Sequence, residues 1–195
     1  TLYNTREYPK LIRFIKDLKQ EKELPEWLIY DIDHYSALIE IYHNLNKELG
    51  KKMLLKCINK LKDQKDDNHL AVSSRIFTSF GNNYPKEKIT ESLIIKSIEI
   101  KEMLSDKPGL ARSYGSLTRM YFEKEPTSTK ALESCNNWLI LNKELNDVFG
   151  IIMSKNYMGK IYFNLHKLNN SNKNNLDKSK NCYFENIKYL KNNID

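Results

Sequence analysis

Apolar residues recur at helical spacing along almost the whole chain, three or four positions apart. Residues 1–67 carry three such stripes: Leu11, Ile12, Ile15 and Leu18; then Tyr35, Leu38, Ile39, Tyr42, Leu45 and Leu49; then Leu54, Leu55, Ile58 and Leu61. This spacing predicts helices with one apolar face each. Pro25 is predicted in the first turn of the second helix, whose apolar face continues to Leu49. Asp33 either lies within that helix or caps a new one.

From Asn68 onward the pattern predicts six helices separated by polar, turn-forming segments. They are expected at residues 68–82, 87–105, 109–122, 128–146, 150–165 and 175–193. Gly109 and Gly150 are predicted to follow helices whose last turns hold Leu104 and Leu145. The polar segment between the last two helices is predicted to be a loop. The 195 residues include only 6 Gly and 5 Pro, too few turns for a β-sandwich, so the fold class is all-α.

Two segments of the chain are copies of one another. Residues 101–122 align without a gap with residues 142–163, at an offset of 41. The aligned pairs include Leu104 with Leu145, Asp106 with Asp147, Gly109 with Gly150, Ser113 with Ser154 and Tyr121 with Tyr162. A weaker copy begins at Leu70. A period of about 40 residues with two helices per copy is typical of a helical solenoid, in which stacked copies share one core.

The first helix of each copy resembles the tetratricopeptide repeat, in its longer variant of about 40 residues. An apolar residue, a small residue and a Tyr three positions later occupy equivalent places in both copies: Met158, Gly159 and Tyr162, and Leu117, Thr118 and Tyr121. Ala131 or Ser179 matches the small residue of the second helix. The chain departs from the family at Thr118, in the weak copy near residue 70 and in lacking the helix-ending Pro. A HEAT-like or other α-solenoid is the alternative.

The resemblance implies a right-handed α-α solenoid of stacked antiparallel helix pairs, with about three repeats following N-terminal helices. The pairs are expected at residues 68–108, 109–149 and 150–195. Residues 1–67 form either a divergent repeat or a cap. In this family, the first helices line a concave groove that binds a partner. Carried onto this chain, the resemblance assigns the following groove residues: Arg75, Arg112, Arg119, Phe122, Asn156, Lys160 and Phe163. The alternative is that they are ordinary solvated side chains.

Arg, Asn and Phe together suit a partner that presents acidic groups, a peptide backbone and apolar side chains. We therefore expect a scaffold or sensor module, part of a larger bacterial multidomain protein, that binds a protein or an acidic peptide. A basic α-solenoid that binds nucleic acid is the alternative, because the net charge is +7 and residues 151–195 hold eight Lys against three acids.

Catalytic, metal and cofactor sites are not expected. No catalytic motif and no nucleophile–base pair can be recognised, and the four His have no metal-binding spacing. Cys135 and Cys182 lie on apolar faces and are expected to be buried. Three Cys without a CxxC pair indicate a reducing, cytoplasmic location, and no apolar run is long enough to cross a membrane.

Overall fold

The computed structural model describes residues 8–168 and 173–193, and within them it contains nine α-helices and no strand. The all-α prediction is therefore confirmed for the described part of the chain. The predicted loop between the last two helices falls largely on residues 169–172, outside the described residues. The helices are α1 (Tyr8–Leu18), α2 (Glu26–Tyr42), α3 (Lys47–Leu61), α4 (Asp67–Asn83), α5 (Thr90–Met103), α6 (Lys107–Lys124), α7 (Thr129–Glu144), α8 (Val148–Leu168) and α9 (Lys173–Asn193).

Each of the six helices predicted from Asn68 onward is present as α4 to α9. The largest difference at a helix start is at α5, predicted to begin at residue 87 and observed to begin at Thr90. The apolar spacing was sufficient to predict these helices because each helix buries one apolar stripe against its neighbours.

The second apolar stripe, from Tyr35 to Leu49, was predicted to form one continuous helical face, and this prediction is wrong. α2 ends at Tyr42 and α3 begins at Lys47, so the stripe is divided between two helices. Leu45 lies in the turn with a φ of 56°, and its side chain is 79% exposed. The alternative of a new helix at Asp33 is also wrong, because α2 passes through it unbroken and its N-cap is Pro25.

The same turn recurs before α3, α6 and α8. In each case a residue with positive φ is followed by Asn or Asp: Leu45–Asn46, Ser105–Asp106 and Asn146–Asp147. The Asn or Asp side chain accepts a hydrogen bond from the backbone N–H three residues later, at 3.1, 2.9 and 3.0 Å. Such a bond satisfies one of the N–H groups that a helix start leaves without a partner.

Gly109 and Gly150, predicted as the first residues of their helices, lie in the first turns of α6 and α8. Neither has a positive φ. A Cβ on Gly109 would lie 1.9 Å from Asp106 Oδ2, and one on Gly150 would lie 2.3 Å from Asn142 Oδ1, so a larger residue would displace the capping carboxylate at the first position and a buried amide at the second.

The described residues divide into two compact units, with the division between Ile76 and Phe77 inside α4. In the N-terminal unit, α1 and α3 each pack against α2. One core cluster of this unit joins α1 to α2 and consists of Tyr8, Leu11, Ile15, Ile32 and Ile39.

In the C-terminal unit, each helix from α5 to α9 packs against the next along the chain, and α6 also contacts α8. Repeat-equivalent residues occupy equivalent core positions: Leu117 and Met120 of α6 are buried with Ile94 and Ile98, and Met158 and Ile161 of α8 are buried with Ala131, Cys135 and Cys182. The repeat in the sequence therefore corresponds to a repeated pattern of buried positions in the structure.

Candidate functional site

A cavity of about 350 Å³ opens in the C-terminal unit, among α6, α7, the end of α4 and the start of α8. Arg112 and Arg119 both line it, as predicted groove residues that the fold brings together. They lie seven residues apart on α6, two helical turns, and therefore share one face. The cavity unites cationic, amide and aromatic side chains from four helices.

The floor of the cavity depends on Gly115, which lies between the two arginines on the same face of α6. A Cβ at this position would be only 2.9 Å from Cε2 of the Trp138 indole. Because glycine has no side chain, the α7 indole can lie directly against the α6 backbone. Gly159 of α8, whose repeat equivalent in α6 is Thr118, is also close to an aromatic ring, since a Cβ there would lie 2.9 Å from Tyr183 Cζ.

Arg119 has a buried donor without a partner. Its side chain is half-buried, and its Nε has no hydrogen-bond partner among the described residues. A buried donor left without an acceptor costs about 1–3 kcal/mol. Arg112, in contrast, is exposed at the cavity edge.

The polar wall of the cavity presents a further donor. Ser116 Oγ donates a hydrogen bond of 2.6 Å to Asn82 Oδ1, which leaves Nδ2 as the donor end of that amide. Asp147 also lines the cavity, but its Oδ1 accepts the bond from the Gly150 N–H at 3.0 Å. The charged lining residues are therefore two arginines and one carboxylate already used as a helix cap.

Phe122 and Lys160, two further predicted residues, gather around an aromatic residue that the sequence did not single out. The Phe122 ring meets the Tyr157 ring edge-on at 5.6 Å between centroids, and Lys160 Nζ lies 5.2 Å from the Tyr157 centroid. Tyr157 also lies 6.1 Å from the Trp138 ring, which lines the cavity. The cavity and this aromatic cluster are therefore continuous.

Phe163 follows Lys160 by one turn of α8, and its side chain is 41% exposed. Lys167 Nζ lies 4.6 Å from its ring centroid, a cation–π arrangement. We call Arg112, Arg119, Phe122, Tyr157, Lys160 and Phe163 the α6–α8 surface. It combines cationic side chains with accessible aromatic area.

Asn156, predicted to bind a partner, is used in the contact between α8 and α9. Its Oδ1 accepts a hydrogen bond of 2.9 Å from Nδ2 of Asn186, which also donates to the Ile152 carbonyl at 3.1 Å. Nearby, Lys155 Nζ lies 2.8 Å from a Glu185 carboxylate oxygen. These polar contacts hold α9 in place beside α8.

Arg75 lies in the N-terminal unit and pairs with Asp31. Its Nη2 lies 3.1 Å from Asp31 Oδ2, and its Nε donates to Oδ1 at 3.4 Å. Burial opposes ionisation of Asp31, but hydrogen bonding to His34 and the charge of Arg75 outweigh it, so the pKa of Asp31 is lowered. The Arg75 guanidinium thus has a carboxylate partner within its own unit.

A nucleophile–base contact is present that the sequence did not show. Lys101 Nζ lies 2.8 Å from Ser113 Oγ and 2.6 Å from Thr78 Oγ1, and Ser97 completes the hydroxyl cluster. Ser and Lys in contact can form a catalytic dyad in hydrolases. Here, however, Lys101 is 1% and Ser113 0% exposed, so a substrate has no access to either. The cluster is an internal polar contact among α4, α5 and α6.

Cys135 and Cys182 are buried, as the sequence predicted. Burial raises the pKa of the Cys135 thiol to about 12, and its Sγ donates to the Ser154 carbonyl at 3.1 Å. A thiol held in its neutral form is a poor nucleophile.

Within the described residues, no three or more His, Cys, Asp or Glu side chains converge as they would around a metal ion. Among the described helices, none combines the length and apolarity needed to cross a bilayer. The chain matches no protein-family model, no curated protein and no solved structure.

Proposed function

We propose that this chain is a partner-binding module, built as a right-handed tetratricopeptide-like solenoid, that holds an acidic peptide or protein segment on the α6–α8 surface. The observation that carries the proposal is the grouping of Arg112 and Arg119 with the Phe122–Tyr157–Lys160 cluster on the repeat-equivalent helices α6 and α8. Five of the seven residues assigned from the resemblance lie on this surface.

Two features support the repeat architecture. The contact of α6 with both α7 and α8 is the neighbour relation expected of stacked helix pairs. The repeat-equivalent Thr118 and Gly159 both face the following helix: Thr118 Oγ1 lies 3.2 Å from Ser134 Oγ, and the Gly159 carbonyl accepts from Ser179 Oγ at 2.9 Å.

The chemistry of the surface favours acidic ligands. Guanidinium groups bind carboxylates through paired, charge-assisted hydrogen bonds, and the adjoining rings provide apolar contact area. A segment that becomes ordered on binding loses conformational entropy, so a dissociation constant of roughly micromolar order is expected. Cytoplasmic location and a place in a larger bacterial protein belong to the same proposal.

The test is binding to a peptide array in which acidic, neutral and basic peptides are matched for apolar content. Acidic peptides should bind best, and an Arg112→Glu, Arg119→Glu double variant should lose them. The matched control is Lys180→Glu with Lys188→Glu, the same charge change at two exposed positions of α9, which should bind within about twofold of the wild type.

Equal binding of acidic and basic peptides, or equal losses in the two double variants, would contradict the proposal. Tight binding of single-stranded nucleic acid that falls steeply with salt and depends on the α9 lysines would instead favour a nucleic-acid-binding solenoid.

A further inference from the structure

The cavity beside α6 is a concave site of limited size that adjoins the α6–α8 surface and shares Arg112 and Arg119 with it. Its volume of about 350 Å³ lies near the lower end of the range for small-molecule sites, about 300–1,000 Å³. A site of this size encloses one compact chemical group rather than an extended chain.

The polar groups of the cavity call for an acceptor. Arg112 and Arg119 bring two guanidinium groups to the lining, and Asn82 presents the donor end of its amide. A guanidinium donates two parallel hydrogen bonds, which match the two oxygens of a carboxylate. With Asp147 as the one acidic residue among those that line the cavity, the lining carries a net charge of +1, suited to a monoanion.

Apolar side chains among the other lining residues favour a ligand that carries an apolar group next to its acid group. Trp138, Leu145 and Phe149 line the cavity, and Phe149 is 72% exposed although it is a large apolar side chain. An exposed aromatic side chain beside a cavity provides apolar area that a planar ligand can cover.

We infer that this cavity binds a free small aromatic carboxylate, with its acid group on the guanidinium groups of Arg112 and Arg119 and its ring against Trp138 and Phe149. The ligand is a separate small molecule, and because Arg112 and Arg119 belong to both sites it would compete with the peptide proposed for the α6–α8 surface. Binding would make the module responsive to an aromatic acid, since Trp138 also contacts Tyr157 on that surface.

The test uses phenylacetate as the probe and Trp138 fluorescence as the readout, supported by calorimetry. The chain has two Trp, so a Trp27→Phe background leaves Trp138 as the sole reporter. Phenylacetate should bind saturably, phenylacetamide about tenfold or more weakly because it lacks the charge, and acetate more weakly still because it lacks the ring. Inorganic phosphate should not compete at equal concentration.

Arg119→Lys is the decisive variant, because it keeps the positive charge and removes the planar guanidinium. It should weaken phenylacetate binding about tenfold, whereas the matched control Arg13→Lys, at an exposed position of α1, should leave it unchanged. Phe149→Ala, at an exposed position that folding does not require, should also weaken binding. Circular dichroism and urea unfolding establish that each variant is folded.

The inference is overturned if phenylacetate does not bind, if phenylacetamide or phosphate binds as well, or if Arg119→Lys binds like the wild type. If phenylacetate fails but acidic peptides still bind through Arg112 and Arg119, the cavity inference is wrong and the proposed function stands. If phenylacetate binds and peptides do not, the cavity inference stands and the proposed function is wrong.

Discussion

Ser113→Ala, compared with Ser154→Ala, isolates the energetic contribution of the buried Lys101 cluster. The two serines are repeat-equivalent, both are 0% exposed, and both substitutions remove the same atom from the same position of a helix. Their hydroxyls differ in partners. Ser154 Oγ donates to the Ile151 carbonyl of its own helix at 2.9 Å, whereas Ser113 Oγ lies 2.8 Å from Lys101 Nζ.

The expected difference follows from these contacts. Loss of one partner of a buried polar group costs about 1–3 kcal/mol, and Ala is favoured over Ser inside a helix by roughly 0.5 kcal/mol. Ser113→Ala should therefore lower the free energy of unfolding by about 0.5–2.5 kcal/mol. Ser154→Ala loses one local bond and gains helix propensity, so its effect should stay within about 0.5 kcal/mol.

Urea unfolding followed by Trp138 fluorescence, in the Trp27→Phe background, measures this in the C-terminal unit. The midpoints of the two variants are compared at equal slope, the condition under which a midpoint change is a stability change. Equal losses in the two variants would show that the lysine–hydroxyl contacts do not stabilise the unit, and would refute the reasoning.

Three further outcomes are expected. Leu45→Gly should raise the free energy of unfolding by roughly 0.5–1 kcal/mol, because relief of the left-handed backbone exceeds the entropic cost of glycine; a lower urea midpoint would contradict this. Asp147→Ala should cost about 1 kcal/mol through loss of the bond to the Gly150 N–H, while Asp147→Asn, which can still cap, should cost little in the same assay. Because the folded-state pKa of Asp31 is lowered, its contribution to stability is present above the ordinary value of 3.8 and is lost as the pH falls through the folded value; Asp31→Asn should remove this part of the acid destabilisation, and an unchanged pH profile of the thermal midpoint would contradict it.

The helices and the repeat could be predicted because burial imposes a period on the sequence. Leu117 and Met158 align at the offset of 41 and occupy equivalent core positions in α6 and α8. The boundary between α2 and α3 was missed because Leu45 continues the apolar period while lying in a turn. The recurring Asn or Asp after a positive-φ residue is the local signal that identifies this boundary.

The candidate site was predictable only in part. The period placed Arg112 and Arg119 on one face of α6, but it does not show which side chains reach that face from other helices. Trp138 reaches it because Gly115 has no side chain, a contact visible only in three dimensions. Lys101 was missed for a different reason: Lys is rarely buried fully, so a sequence gives no cause to place one in a core.

The most direct test of the account is the response of the arginine Nε–H signals to ligand in a nuclear magnetic resonance titration. In a chain labelled with ¹⁵N-arginine, an acidic peptide selected from the array is added and the Nε–H signals are followed. The account predicts that the signals of Arg112 and Arg119 shift saturably while that of Arg75, paired with Asp31, stays in place. Binding of the peptide with no shift at Arg112 and Arg119, or with the shift at Arg75 instead, would contradict it.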